Sequence, residues 1–403
     1  ASPDKFELTV YLTRLLFPYL FCISLVALAM GMLNSLKHFA APAAAPILLN
    51  LSMIFGALVL WHYFSIPVVG LALGVLLGGV LQLALQIPVL YREGMLPRLN
   101  FNYRHPALRS LLLLMGPSAF GASVYQVNLL IITLIASFLP EGSVSFLWYA
   151  DRVSEFSLGV FAIAIATATL PTLSKHAAKN DMQAFKDTMN YGLRLNFLIT
   201  VPSAVGMYFL AEPIIQVLFE RGEFSATSSL LTAWALAIFA FKIPFVAGVR
   251  NLAPGFYALK DAKTPVFISV ATVAVNAVVA YCLMDSMLHL GLAAALVVSS
   301  IFNFIVLLYC FRRKVGLMGG KLLATSLGKT FFSSFVMAVF LKFSLEFVSF
   351  TQLPNLANKV GALFLLIAGG AFIYLLITRL INQQEYQAVK NMLFRAKKAD
   401  LAG

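Results

Sequence analysis

Charge is what this chain has least of. Only 11% of its 403 residues are Asp, Glu, Lys or Arg, while 61% are hydrophobic. Soluble domains carry roughly 25% charged residues. A water-soluble fold of this composition has too little polar surface to cover its apolar surface. The mean hydropathy of +0.89 points the same way, to a bilayer as solvent. Cysteine is scarce too. Cys22, Cys282 and Cys310 lie singly in apolar runs, which excludes a CxxC redox or metal motif and a disulfide framework. The five His are scattered with no HExxH, and there is no Walker loop and no GxSxG. These absences leave no mark of an ATPase, a hydrolase, a metalloenzyme or a resident cofactor.

What is present is a series of long apolar runs. A membrane span needs about 20 predominantly apolar residues, and the sequence predicts eleven, labelled A to K. They are A 11–36, B 44–65, C 67–91, D 109–138, E 144–173, F 195–218, G 227–250, H 264–285, I 288–311, J 330–349 and K 357–380. Pro117, Pro202, Pro244 and the pair Gly369 and Gly370 interrupt several of them. Such breaks are tolerated in a membrane where neighbouring helices satisfy the backbone. Of the 29 Lys and Arg, 22 fall on one set of loops, 5 on the opposite set, and Arg152 and Lys242 lie inside spans. The positive-inside rule makes the rich side cytoplasmic, with the C-terminus inside. The net charge of +13 then faces anionic headgroups, and no nucleic acid is required. Two stretches, 178–192 and 385–398, read as amphipathic helices on the membrane surface or as solvated connectors.

The chain also repeats itself. Leu36, Lys37 and Pro42 match Leu259, Lys260 and Pro265 at one constant offset of 223, and each segment leads into a span carrying an Asn, Asn50 or Asn276. Spans A and G are six apart and therefore run in the same direction. This fits a parallel repeat of two six-helix lobes related by an axis along the membrane normal. If A–B–C corresponds to G–H–I, then D–E–F lacks a counterpart ahead of A. The opening ASPDKFEL shows no signal-peptide pattern. The expectation is a piece of a fourteen-span protein, six plus six plus two. The expected parts are residues 1–91 as the remainder of an N-lobe and 92–108 as a cytoplasmic linker. Residues 109–311 would be the C-lobe, and 312–403 the last two spans and tail.

Three of the few charges sit together in FLWYADRVSEF, residues 146–156. Arg152 and Glu155 share a helix face at i, i+3, Trp148 and Gly159 continue it, and Asp151 pairs with Glu155 at i, i+4. Ala162 and Ala166 extend a small-residue stripe suited to close helix packing. Arg152 lies 23 residues from Lys175, roughly 34 Å along a helix at about 1.5 Å per residue, in the outer part of the bilayer. Two readings of Arg152 stand. It snorkels to the interface and pairs locally, or it faces a wet cavity and binds an anion. Holding an Arg in hydrocarbon costs about 2.5–3.5 kcal/mol, and its planar fork suits phosphate. Lys242 is a second buried cation, open to the same two readings. Ser123, Gln126 and Asn128 form a polar stripe on span D, which either lines a cavity or bonds a neighbouring helix.

Four stretches in order carry a family resemblance: GSVSFLWYADRVSEF (142–156), ATLPTLSKHAA (168–178), LFERGEFS (218–225) and LAPGFYALKDAKTP (252–265). Together they resemble the MurJ/MviN family, bacterial lipid II flippases within a larger group of drug and polysaccharide exporters. The resemblance implies an all-α polytopic membrane protein, with fourteen helices, two helical lobes around a central cavity and two extra C-terminal helices. Eleven of the fourteen would be in this chain. It implies a transporter, not an enzyme, in the bacterial inner membrane. Its cargo would be an undecaprenyl-pyrophosphate-linked disaccharide-pentapeptide, moved by alternating access among membrane lipids, with cell-wall synthesis proteins as possible partners. It assigns the essential Arg of the ADR motif to Arg152, with Asp151 and Glu155 beside it. Gln126, Asn128, Ser123 and Lys242 are the remaining candidates for substrate contact. No cofactor is expected; a coupling ion or the membrane potential would supply the drive. The rival readings are an O-antigen or capsule-type polysaccharide flippase, a cation-coupled multidrug exporter, and a scaffold of the cell-wall machinery.

Overall fold

A computed structural model describes residues 3–96, 123–124, 126–348, 350, 353–382 and 387, without the side chains of residues 3–5, 157 and 160–168. The expected linker beyond residue 96, the Pro117 break and nearly all of the tail segment 385–398 lie outside them. So do the side chains of Ala162 and Ala166. Among the described residues all regular structure is helical. The helices are α1 (Pro3–Ser35), α2 (Ala40–Leu58), α3 (Pro67–Arg92), α4 (Gln126–Ala136), α5 (Ser143–Ala178), α6 (Met182–Phe209) and α7 (Ala211–Phe219). They continue with α8 (Ala226–Ala240), α9 (Ile243–Ala258), α10 (Lys263–Met287), α11 (His289–Val315), α12 (Gly320–Val348) and α13 (Leu356–Ile381). Seven of them are long and apolar enough to cross a bilayer, or up to nine spans if each of two bent pairs is one span. The eleven-span expectation also rests on run D, which the described residues cover only from 123 onward, and on run E, which is helical throughout within α5.

The chain divides into two compact units, residues 1–111 and 112–403. In the first, α3 packs on α1 and α2, and glycine makes the approach to α2 possible. A Cβ on Gly74 would lie 2.6 Å from the Ser52 carbonyl oxygen, and one on Gly56 2.7 Å from that of Gly70. Without side chains the two backbones meet directly, as in small-xxx-small membrane contacts. Gly74→Ala is therefore expected to destabilise the protein by about 1–3 kcal/mol, because a carbonyl cannot move aside. Gly31→Ala, with nothing within 4 Å of the added carbon, should be neutral or slightly stabilising. Thermal unfolding in detergent separates the two.

In the second unit α5 packs against α6, α8, α9 and α11, α10 pairs with α11, and α12 lies between α6 and α13. Two helices are sharply bent. The α6–α7 pair turns by 72° just before Pro213, whose ring would clash with the carbonyl of Phe209 in a continuous helix. The α8–α9 pair turns by 45° at Phe241 and Lys242, where Pro244 has no N–H to continue the ladder. Pro202 instead sits inside α6 without ending it. Its missing N–H leaves the Leu198 carbonyl without its usual donor, and the Tyr374 hydroxyl of α13 donates to that oxygen at 2.6 Å. Tyr374→Phe should cost about 1–3 kcal/mol by orphaning a buried carbonyl. In a Pro202→Ala background the restored backbone N–H should remove most of that cost, which a double-mutant cycle of unfolding midpoints measures.

One expectation is corrected. Residues 178–192 do not form a surface helix: from Met182 onward they are the first turns of α6, capped by Asp181, which accepts from the Ala184 N–H at 3.0 Å. Phe185 and Met189 are fully buried in a cluster with Phe256 and Phe311. The apolar stripe was real, but its partner is protein and not lipid.

The internal repeat extends to helix ends. α1 ends at residue 35 and α9 at 258, 223 apart. α2 and α10 start at 40 and 263, and α3 and α11 end at 92 and 315, again 223 apart. Lys37 and Lys260 both take a left-handed conformation, with φ of 64° and 59°. The same two backbone bonds close each helix, Lys37 N to Asn34 O and His38 N to Leu33 O, then Lys260 N to Tyr257 O and Asp261 N to Phe256 O. The position after each left-handed Lys holds a side-chain tie, from His38 to Glu93 at 3.0 Å in one repeat and from Asp261 to Lys314 at 2.6 Å in the other. Burial alone raises the Asp261 pKa, but the bonds from Lys314 and Thr264 outweigh it and bring it down to about 2 from an ordinary 3.8. A lowered carboxylate pKa stabilises the fold above the unfolded value and ceases to do so as pH falls through the folded one. The Asp261 tie should accordingly weaken between about pH 4 and 2, and Lys314→Met should flatten acid sensitivity in that window.

Candidate functional site

α5 begins at Gly142, where φ is 91° and a Cβ would lie 2.6 Å from the Phe146 ring. From there its residues divide between two faces. Leu147, Ala150, Ser154 and Leu158 are buried, and the three apolar ones pack in a cluster with Leu236, Phe239 and Leu292. The neighbouring stripe, Trp148, Asp151, Arg152 and Glu155, forms one wall of a cavity of about 150 Å³. α4 contributes Ile132 and Thr133 to the other walls, α8 contributes Phe239 and α11 contributes Leu296. The cavity is thus apolar on three sides and charged on one.

The charges are arranged in two pairs. Lys242, at the bend between α8 and α9, donates from Nζ to Asp151 Oδ1. The Lys242 side chain is 9% exposed and that of Asp151 31%. The Lys242 ammonium also lies 4.1 Å from the centre of the Phe239 ring. Arg152 and Glu155 form the second pair, at 3.6 Å between Nη1 and Oε2, with Arg152 59% exposed. The Arg152 guanidinium carbon sits 4.5 Å over the Trp148 ring. The two pairs sum to zero charge. They differ in tightness, however. The Lys242 ammonium is nearly buried, while 3.6 Å exceeds hydrogen-bond length and leaves most of the five guanidinium donors available.

Of the predicted residues, Asp151, Arg152 and Glu155 come together on the cavity wall. Lys242 stands behind Asp151 and is not part of the lining. Asn128 accepts from the buried Asn276 of α10 at 2.7 Å, the interhelical bond that its polar stripe left open. Ser123 and Gln126 are on exposed positions outside the lining. Thr133 and Phe239 were not foreseen. Both are ordinary residues of apolar runs, and only the packing of α4 and α8 on α5 brings them to the site.

The chain is also similar to known proteins in sequence and in fold. The sequence profile described as lipid II flippase MurJ matches residues 1–359. The lipid II flippase MurJ of Burkholderia cenocepacia is 38% identical over 318 residues, covering 78% of this chain and 62% of that protein. A probable lipid II flippase MurJ of Vibrio cholerae is 38% identical over 76% of this chain and 58% of its own length. One from Rhizobium tropici is 34% identical over 98% of this chain and 75% of its length. The chain thus spans about three fifths of the first two relatives. Among solved structures, lipid II flippase MurJ in an inward closed conformation has the same fold, with a TM-score of 0.77 at 23% identity over 95% of this chain and 76% of that one. An inward-facing multidrug resistance MATE family transporter matches at 0.69 and 15% identity, over 79% of this chain and 74% of its own. By sequence profile and by its relatives, this polytopic helical membrane chain belongs to the lipid II flippase MurJ family.

Proposed function

We propose that this protein moves lipid II, an undecaprenyl-pyrophosphate-linked disaccharide-pentapeptide, from the inner to the outer leaflet of the bacterial inner membrane. The observation that carries the reading is the Arg152 guanidinium on a cavity wall of a chain otherwise poor in charge. Taking a pyrophosphate and sugars bare through hydrocarbon is prohibitive. A guanidinium fork replaces part of the headgroup hydration with charge-assisted bonds. Because the pocket is charge-balanced at rest, an incoming phosphate must take Arg152 from Glu155, the looser of the two pairs. Asp151, held by Lys242, stays in place and keeps the wall from collapsing onto the guanidinium. Alternating access about this site would complete transfer, with the lipid tail remaining in the bilayer. With no ATP motif in the sequence, a coupling ion or the membrane potential would supply the drive. One charge crossing about 100 mV is worth about 2.3 kcal/mol. The lysine and arginine bias of the loops supports a cytoplasmic C-terminus, and cell-wall synthesis enzymes are the natural suppliers and consumers of the cargo.

The fold shared with MATE transporters admits a drug exporter, but a site for cationic drugs calls for unpaired acids. Here both Asp151 and Glu155 face cations. A polysaccharide-type flippase would use the same phosphate contact, and cargo separates the two. In cells depleted of their own lipid II flippase, expression of the full-length protein that carries this chain should restore lipid II on the outer leaflet. Failure to restore it at normal expression would refute the proposal.

A further inference from the structure

We infer that Trp148 is a specificity-determining residue that packs against the first sugar of the cargo while Arg152 holds the adjoining phosphate; the inference rests on the function proposed above. Trp148 and Arg152 are one helical turn apart on the same cavity wall. The guanidinium covers one part of the indole at 4.5 Å, yet Trp148 remains 58% exposed. The rest of the lining holds Ile132, Thr133 and Ala136 of α4 and the Phe239 ring of α8, and more than half of the indole stays open to the space between them. Large aromatic side chains offer wide contact area with few rotors to freeze. A pyranose presents a ring face of C–H bonds that suits such a surface, and a glycosyl pyrophosphate puts that ring directly beside its phosphate. The spacing of a cation and an indole along one helical turn matches that pairing. The cavity of about 150 Å³ is below the range of about 300–1,000 Å³ typical of whole-ligand pockets. It is sized for the phosphate-proximal part of a large headgroup, where a bare polyprenyl pyrophosphate and a glycosylated one first differ.

The test uses the protein reconstituted in nanodiscs and two probes, lipid II and undecaprenyl pyrophosphate without sugar. The wild type should bind lipid II about tenfold more tightly, as expected for one aromatic contact and its buried area. Trp148→Ala should bring that ratio close to one while leaving affinity for undecaprenyl pyrophosphate within about threefold. Trp148→Phe should give an intermediate ratio. An unchanged ratio in Trp148→Ala overturns the inference. Equal weakening for both probes also overturns it, since the indole would then act only by holding Arg152. If the wild type binds neither probe, the proposed function falls and this inference with it.

Discussion

Arg152→Ala is expected to abolish rescue in flippase-depleted cells, with outer-leaflet lipid II falling at least about a hundredfold while protein abundance stays near normal. The reasoning is electrostatic. A hydrogen bond to a charged group is worth about 1.5–3 kcal/mol, and a guanidinium can form two to one phosphate. Losing both removes enough to account for two orders of magnitude. Stability should change little, because Arg152 is 59% exposed and its bond to Glu155 is long, the kind of pair that contributes about 0–1 kcal/mol. Arg152→Lys should recover only part of the activity, since an ammonium is a point charge without the planar fork. Rescue by Arg152→Ala at wild-type level would favour a scaffold role over transport.

The second large effect belongs to the other pair, and it is one of stability. Asp151→Asn leaves the Lys242 ammonium buried without its counter-charge. Removing one partner of a buried ion pair costs about 3–5 kcal/mol. The lower end applies here because Asp151 keeps 31% exposure. Lys242→Met should be milder, as an apolar side chain of similar length can fill the space beside Phe239 while Asp151 retains contact with water. The double variant, Asp151→Asn with Lys242→Met, should be close to Lys242→Met alone, since the stranded charge is gone. Unfolding midpoints in detergent give this coupling directly. Strict additivity of the two single effects would mean that the pair contributes nothing.

Much of the architecture could be read from the residues. Apolar runs located the helices, because the bilayer allows little else. But α6 and α12 begin at 182 and 320, well ahead of runs F and J at 195 and 330, since a helix extends through polar residues that an apolar run leaves out. The repeat was legible from Leu36, Lys37 and Pro42 only together with the common direction of spans A and G and the Asn that each following span carries. The triad of Asp151, Arg152 and Glu155 was legible because i, i+3 and i+4 fix neighbours on one helix. What stayed hidden needs tertiary contact. Periodicity at Met182, Phe185 and Met189 announced an apolar face but not that Phe256 and Phe311 would cover it. Pro202 announced a carbonyl short of a donor, but nothing in sequence named Tyr374, 176 positions away from Leu198. Lys242 was legible as a buried cation, open to snorkelling or to cargo contact, but nothing in sequence named Asp151, 91 residues earlier, as its partner.

The central claim, that the phosphorylated end of the lipid sits in the cavity beside Arg152, is tested most directly by site-specific photocrosslinking. A benzophenone amino acid replaces Thr133 on the opposite wall, and labelled lipid II is added to membranes. Crosslinking is expected at position 133, should vanish when Arg152→Ala is added, and should be absent from a probe at Phe138, which is 80% exposed and outside the cavity lining. Crosslinking at 133 that persists at full strength without Arg152, or that is no greater than at 138, would contradict it.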